Sequence, residues 1–373
     1  MQAPGAESLS ARPSARPRTA IALRIARAIA EAGGWLPFDR FMALALYEPG
    51  LGYYARDSRQ FGALPSSGSD FVTAPELTPL FGRTLARQVA QALDASATDE
   101  VFEFGAGSGA LAEQLLGALG ERLRRYTVID VSGALRARQA ARLAPFGDLV
   151  RWLDAWPETL RGVVVGNEVL DAMPVQLLYF DGSGWFERGV VMHGEGFAWA
   201  DRPTPLRPPA AGPCVPGTVT EIHLQAEAFV RSLAERLSHG AAFFIDYGFP
   251  EAEYYHPQRS GGTLMCHRAH LADTDPLADA GDKDITAHVN FTAIALAAQD
   301  AGLDVLGYTS QARFLLNCGL VDLLQQADLR ERTAAQKLIN EHEMGELFKV
   351  LALGRGVVFD PLGFAAGDRM HRL

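Results

Sequence analysis

The clearest chemical signal lies at residues 101–109, where a short apolar run ends in an acid and breaks into alternating glycines. Gly105, Gly107 and Gly109 form a G-x-G-x-G pattern before a helical segment. Such glycines let the backbone approach a nucleoside that a Cβ would exclude. Dinucleotide sites have G-x-G-x-x-G, and Glu103 places an anion where a pyrophosphate would bind. Both features favour S-adenosylmethionine (SAM), which carries an ammonium and a sulfonium, over NAD. A plain glycine-rich βα turn is the alternative.

Further acids and an amide follow other predicted strands. Ligands of open α/β sheets bind beyond the carboxyl ends of the strands, so these side chains are expected on one rim. They are Glu103, Asp130, Asp154, Asn167, Glu168 and Asp246. Asp130 is placed to accept both ribose hydroxyls, or to cap the next helix with Ser132 as the rival cap. Asp154 is placed to receive the adenine amino group, or is an ordinary loop acid.

The turn at 167–174 carries the residues best suited to catalysis. Asn167, Glu168 and Asp171 follow a buried strand and are expected near the donor methyl group. Methyl transfer requires an aligned nucleophile and exclusion of water. A guanidinium nucleophile is cationic and pairs bidentately with carboxylates, and one acid can accept the proton released. The alternative is that Asn167 and Asp171 only stabilise a sharp loop before Pro174.

The alternation of strands and helices around these residues predicts an α/β fold with a mostly parallel, Rossmann-like sheet. Strands are predicted at 101–104, 126–130, 149–153, 162–165, 241–245, 305–308 and 347–353, and helices at 110–119, 134–143, 224–237, 291–301 and within 312–342. Helices at 21–32, 38–46 and 77–93 predict a helical N-terminal cap over 19–95, before a main domain at 96–373. Two insertions interrupt that domain, a hairpin-like one at 175–220 and a loop at 248–290.

The bulk properties exclude several classes of function. The net charge of −10 opposes binding to nucleic acid and tolerates a basic protein surface as substrate. The three cysteines have neither metal-site nor disulfide spacing, so we expect no metal and a cytoplasmic, reducing location. No apolar run approaches the roughly 20 residues that span a bilayer. Residues 1–18 are expected to be a disordered tail, with a transit peptide as the alternative.

Several motifs together resemble the MidA-type group of SAM-dependent methyltransferases, once a domain of unknown function. They lie at 41–54, 70–82, 103–109, 167–174, 275–277, 284–291 and 344–351, so the resemblance covers about 20–356. The resemblance implies a class I methyltransferase fold with SAM as the methyl donor. The group includes the mitochondrial complex I assembly protein that methylates an arginine. It therefore also implies a protein arginine as substrate, with a respiratory-complex subunit as one candidate.

The resemblance also implies that Thr73, Pro75 and Glu76 lie beside the cofactor, whereas helix physics alone explains Glu76 as a favourable charge at a helix N-terminus. Two positions depart from the group's pattern. Ser69 replaces a common glycine, and Asn290 replaces a common aspartate. The second change removes a charge from a loop that we expect to face the substrate. His288 nearby is either a functional base or a structural histidine.

The favoured function is methylation of a protein arginine with SAM as cofactor. Two other classes stay compatible with the residues. The chain could bind SAM without catalysis and act as an assembly or interaction factor, since the cap and insertions offer surface for partners. It could also be an NAD-dependent oxidoreductase, which the glycine spacing and Glu103 oppose. The sequence does not define the oligomeric state.

Overall fold

The computed structural model describes residues 19–56, 73–130, 133–209, 214–268 and 271–373. The predicted tail at 1–18 lies outside the described residues, as do Ser69, Asp70 and Ser132. The helices are α1 (Ala20–Glu31), α2 (Phe38–Tyr47), α3 (Ala74–Leu77), α4 (Leu80–Ser96), α5 (Ala110–Leu119), α6 (Gly133–Leu143), α7 (Leu224–Arg236), α8 (Glu251–Tyr254), α9 (Phe291–Asp300), α10 (Gln311–Asn317), α11 (Leu320–Gln326) and α12 (Leu329–Ile339). Among the described helices, none has the length and apolar character needed to cross a bilayer.

The strands form one large sheet and two small ones. They are β1 (Leu36–Pro37), β2 (Glu100–Phe104), β3 (Arg125–Ile129), β4 (Val150–Leu153), β5 (Leu160–Asn167), β6 (Gln176–Phe180), β7 (Trp185–His193), β8 (Gly196–Pro203), β9 (Val219–Ile222), β10 (Leu237–Phe249), β11 (Met265–Arg268), β12 (Leu271–Asp273), β13 (Asp284–Thr286), β14 (Val289–Asn290), β15 (Asp304–Ser310) and β16 (Phe348–Arg355). The strands predicted for the main domain all occur, so the predicted α/β fold is confirmed.

The large sheet has the order β15-β16-β10-β5-β2-β3-β4. Within this row β16 runs antiparallel to both neighbours, and the other strands are parallel to one another. The valines of β5 are fully buried on both faces, as expected for a central parallel strand. Val163 and Val165 pack with α4 and α5 on one face, and Val164 packs with α7 and α9 on the other.

The two insertions form small antiparallel sheets. The first sheet contains β6–β9. The short strand β1, between α1 and α2, joins this sheet through pairing of Leu36 with Val190. Strands β6 and β7 pair as a hairpin within the segment 175–220. The second insertion was expected to be loop, and that expectation is wrong because β11, β12 and β13 form a sheet there. These strands have three or four residues each, too few for a period-two pattern to be recognised.

The two insertion sheets share a core with α1 and α2, and we call this assembly the cap. Its core includes Ile25 of α1, Phe41 of α2, Val190 of β7 and Ile285 of β13. The helical segment predicted as a cap over 19–95 therefore divides in the structure. Helix α4 lies in the main domain, where Leu85 and Val89 belong to the core of the large sheet.

The packing of α1 into the cap predicts that substitutions at two of its residues will have very different effects on stability. Ile25 is 0% exposed and Leu23 is 60% exposed. We expect Ile25→Ala to lower the free energy of unfolding by about 2–5 kcal/mol, because it leaves a cavity in the core. Leu23→Ala on the same helix should change it by less than about 0.5 kcal/mol. Urea unfolding measures both, and equal effects would contradict this packing.

Candidate active site

A cavity of about 790 Å³ lies at the carboxyl ends of β2, β3, β5 and β10, between the large sheet and the cap. Most of the residues predicted for the site line it. They are Thr73, Pro75, Glu103, Gly105, Gly107, Asp130, Asn167, Glu168 and Asp171. The structure thus brings together the glycine turn, the rim acids and the loop after β5. Within the described residues, no group of His, Cys, Asp and Glu is arranged to bind a metal ion.

The glycine turn has a backbone that other residues rarely adopt. Gly105, Gly107 and Gly109 have φ values of +63°, +53° and +83°, in the region that glycine tolerates best. A Cβ at Gly105 would lie 3.1 Å from Cγ2 of Val169. Gly109 lies outside the cavity lining and caps α5. The turn therefore presents bare backbone at the start of a helix, as a nucleoside ligand requires.

Two acids flank this turn. The Tyr126 hydroxyl donates a hydrogen bond of 2.8 Å to Oε2 of Glu103, and burial raises the pKa of Glu103 to about 8. Gln139 Nε2 donates to Oδ2 of Asp130 at 2.9 Å and to the carbonyl oxygen of Gly107 at 3.0 Å. Gln139 thus ties the acid after β3 to the glycine turn, and both can face one ligand.

The loop after β5 is strained at Glu168, which has a φ of +54°. A left-handed conformation at a residue other than glycine is often found at functional sites. Asn167 Nδ2 donates to Oε1 of Glu168 at 3.0 Å, and the Glu168 N–H donates to the Ile245 carbonyl at 2.9 Å. Burial, followed by the neighbouring Asp171 carboxylate, raises the pKa of Glu168 to about 8.

Asp246, which lies near the carboxyl end of β10, holds this loop in place. Its Oδ2 accepts the backbone N–H groups of Val169, Leu170 and Asp171 at 3.2, 2.9 and 3.2 Å. Burial and the nearby carboxylates of Asp171 and Glu168 raise the pKa of Asp246 well above its usual range, against these hydrogen bonds. Burial also raises the pKa of Asp171 to about 6, although the Tyr247 hydroxyl donates to it. The acids are therefore tightly packed with little solvent.

Two acceptor atoms in this loop are left for a ligand. Asn167 Oδ1 and Asp171 Oδ1 are buried and have no hydrogen-bond partner among the described residues. A buried acceptor without a donor is energetically unfavourable, so these two atoms favour a ligand that can donate to them. A ligand rich in N–H donors would satisfy both.

Besides Gly109 and Asp246, three residues named from sequence do not line the cavity. Asp154 pairs with Arg136 at 2.6 Å, and its side chain is 79% exposed. Glu76 accepts hydrogen bonds from Arg142 Nη1 at 2.9 Å and from the Ser108 hydroxyl. It therefore stabilises the glycine turn, which contains Ser108, without lining the cavity. Asn290 is buried and caps α9, accepting the Ala293 N–H at 3.2 Å. Asn290 itself therefore does not line the cavity, although Asp284 and His288 of the same segment do.

The cap supplies lining residues that the sequence did not single out. Tyr47, Tyr54, Met265, His267 and Asp284 line the cavity from this side. The motifs at 41–54 and 284–291 contain three of them, Tyr47, Tyr54 and Asp284. His288 also lines the cavity; its ring stacks on Phe249 with centroids 5.3 Å apart, and burial lowers its pKa to about 4. A histidine with so low a pKa is neutral at pH 7.

A parallel sheet with one reversed strand, a glycine turn after β2 and an acid after β3 define a nucleoside-binding domain of the class I methyltransferase type. The family model described as "Putative S-adenosyl-L-methionine-dependent methyltransferase" matches residues 84–309. The chain belongs to this family, which confirms the predicted family and cofactor.

Solved structures and curated relatives resemble nearly the whole chain. A Burkholderia thailandensis protein crystallised with S-adenosyl-homocysteine is 54% identical with a TM-score of 0.92, covering 95% of this chain and 96% of that one. A native crystal structure from the same organism is 53% identical, with a TM-score of 0.87 and coverages of 95% and 96%. The mitochondrial protein arginine methyltransferase NDUFAF7 of Danio rerio is 26% identical over 86% of this chain and 84% of its own length.

The glycine turn generates a prediction for cofactor affinity. Gly107→Val adds a branched side chain at a positive φ in the cavity wall, so we expect affinity for S-adenosyl-homocysteine to fall at least about tenfold. Isothermal calorimetry measures it. Gly117→Val is the matched control, since a Cβ there would meet no described atom within 4 Å. Unchanged affinity in a folded Gly107 variant would place the nucleoside elsewhere.

Proposed function

We propose that the protein transfers a methyl group from SAM to an arginine side chain of a protein substrate. The charge of the cavity carries this proposal. Its described lining includes the acidic side chains of Glu103, Asp130, Glu168, Asp171 and Asp284, and no lysine or arginine. Because burial raises the pKa of Glu103 and Glu168 to about 8, these two acids ionise at pH 7 only when a cation binds beside them. The cofactor brings an ammonium and a sulfonium but also its own carboxylate, so an acidic surplus persists beside it. A cationic substrate would neutralise that surplus.

For the cofactor, we assign the backbone at Gly105 and Gly107 to the nucleoside, Asp130 to the ribose hydroxyls and Glu103 to the ammonium. Thr73 and Pro75 would close the same end of the cavity, which they line. Glu76 and Asp154 would then act indirectly, through the ion pairs that they form with Arg142 and Arg136. When bound, SAM supplies an electrophilic methyl group on a cationic sulfur.

For the substrate, we assign the guanidinium to the loop that follows β5. A guanidinium has five N–H donors in one plane and no acceptor, so it suits the free acceptors Asn167 Oδ1 and Asp171 Oδ1. As one of its nitrogens attacks the methyl carbon, the N–C bond forms, and the electron pair of the broken S–C bond stays on sulfur. The proton released from nitrogen passes to the carboxylate of Glu168.

The relatives support arginine as the nucleophile but do not define the protein that carries it. NDUFAF7 of zebrafish and its homologue in Caenorhabditis elegans both bear the name protein arginine methyltransferase, at 26% and 24% identity. A respiratory-complex subunit is the candidate partner that the resemblance suggests. A cytoplasmic location stays a prediction from the cysteine pattern.

Glu168 provides the direct test. Glu168→Gln keeps the side-chain shape but cannot accept the proton, so we expect kcat for an arginine peptide to fall about 100-fold or more. Affinity for S-adenosyl-homocysteine should stay within about twofold, because catalysis and cofactor binding use different groups. Transfer of radiolabelled methyl from SAM and calorimetry measure the two quantities.

Glu235→Gln is the control for this test, because its exposed side chain on α7 pairs only with Arg236 among the described residues. If Glu168→Gln retains its turnover, the proton-acceptor assignment fails. If the unaltered protein binds S-adenosyl-homocysteine but methylates no arginine in peptides or in a lysate of a deletion strain, the non-catalytic assembly role replaces the proposal.

The raised pKa of Glu168 predicts a pH dependence. The carboxyl is mostly protonated below about pH 8 in the free enzyme and becomes a base above it. The guanidinium stays charged over this range. At saturating SAM, kcat/KM for the arginine peptide reports the enzyme–SAM complex, in which the sulfonium favours the ionised carboxylate. We therefore expect this ratio to rise with pH and to level off at or below about pH 9. In Glu168→Gln the rise should disappear, and a profile unchanged by the substitution would refute this role.

A further inference from the structure

The cap contributes a carboxylate, Asp284, to the cavity. The methyl transfer proposed above gives this carboxylate no role. Asp284 is 3% exposed, lies on β13 and lines the cavity. The Tyr54 hydroxyl donates to its Oδ1 at 2.8 Å. The Tyr54 ring in turn stacks on Tyr47 with centroids 5.6 Å apart. Asp284 is thus an oriented acid in a wall of aromatic rings.

Hydrogen bonds fix this wall to the loop that carries Glu168. The Ala287 N–H donates to the Asp171 carbonyl at 3.0 Å, and the Tyr47 hydroxyl donates to the Ala172 carbonyl at 2.8 Å. The pKa of Tyr47 is raised by burial and then by the carboxylates of Asp284, Asp171 and Asp130. The Tyr47 hydroxyl therefore lies near acids of both the cap and the main domain.

We propose that Asp284, oriented by Tyr54, is a second substrate carboxylate, which binds the edge of the guanidinium opposite the Glu168 loop. This inference rests on the proposed arginine substrate and assigns a specificity role to the cap. A planar guanidinium offers donors along more than one edge, whereas a lysine ammonium is a compact point charge. Acids supplied by both the cap and the main domain therefore favour arginine over lysine more than acids from one of them would.

The geometry distinguishes this role from a purely structural one. A structural acid within the cap could be satisfied by Tyr54 without facing the cavity, yet Asp284 lines the same cavity as Glu168. Its charge is also close enough to Glu168 to contribute to that residue's raised pKa, after burial and Asp171. The arrangement places acids of both walls around one space.

The test is binding of N-acetyl-arginine amide to the full chain saturated with S-adenosyl-homocysteine, measured by calorimetry. We expect Asp284→Asn, an isosteric change that removes the charge, to weaken this binding about 10–100-fold, as for loss of a charged hydrogen-bond partner. Tyr54→Phe should weaken it less, because the carboxylate is retained. Affinity for S-adenosyl-homocysteine should stay within about twofold in both variants.

Turnover gives an independent readout. With an arginine peptide and its lysine counterpart, the unaltered protein should prefer arginine, and Asp284→Asn should reduce that preference, mainly by raising KM for arginine. Asp279→Asn is the matched control, because Asp279 is exposed and pairs with Arg268, and asparagine tolerates its φ of +51°. This control should behave as the unaltered protein.

The possible failures are distinguishable. If the unaltered protein methylates arginine but Asp284→Asn keeps both its arginine affinity and its preference, the role of Asp284 is refuted and the proposed function stands. If Asp284→Asn weakens S-adenosyl-homocysteine instead, the acid belongs to the cofactor site and the inference is also refuted. If the unaltered protein methylates no arginine, the proposed function itself fails.

Discussion

The carboxylate of Asp246 organises the site, because one of its oxygens accepts the backbone N–H groups of Val169, Leu170 and Asp171. These bonds hold the loop in which Glu168 keeps its unfavourable φ. Three bonds from N–H groups to one carboxylate are strong, and they offset part of the loss of hydration. Packing Asp246 against two other acids nevertheless makes full ionisation of all three unfavourable without a cation. The loop is thus held in a fixed conformation, and its acids favour binding of a cation.

The site is divided between two cores with different tasks. The large sheet supplies the glycine turn and the loop acids, which are fixed by parallel strands buried on both faces. The cap supplies aromatic rings and one acid from a separate core. Hydrogen bonds from Tyr47 and Ala287 to the loop join the two. The groups proposed to bind the cofactor are therefore positioned by the core of the large sheet. Many of the groups that would contact a substrate are positioned by the core of the cap.

The sequence predicted the large sheet well because its strands are apolar, separated by clear helices and followed by acids where a ligand could bind. The same local patterns placed Glu103, Asp130 and Glu168 on the cavity. They could not place Asp154, because its ion pair with Arg136 depends on how α6 packs beside β4. The cap role of Asn290 is a local signal, since Asn290 directly precedes the predicted helix and bonds to Ala293. Asp284 was missed as a site residue because its strand is three residues long and its partner Tyr54 is distant in the chain.

The arrangement of the cap also affects how the chain is made. Helix α1 buries Ile21, Ile25 and Ile29 against partners as far along the chain as Ile285. On the ribosome, at about 5–20 residues per second, these partners emerge roughly 10–50 s after the helix. During that interval the apolar face of α1 is exposed to solvent. Chaperones bind exposed apolar segments of nascent chains at this stage. Helix α1 therefore completes its packing only after most of the chain that forms the cap has been synthesised.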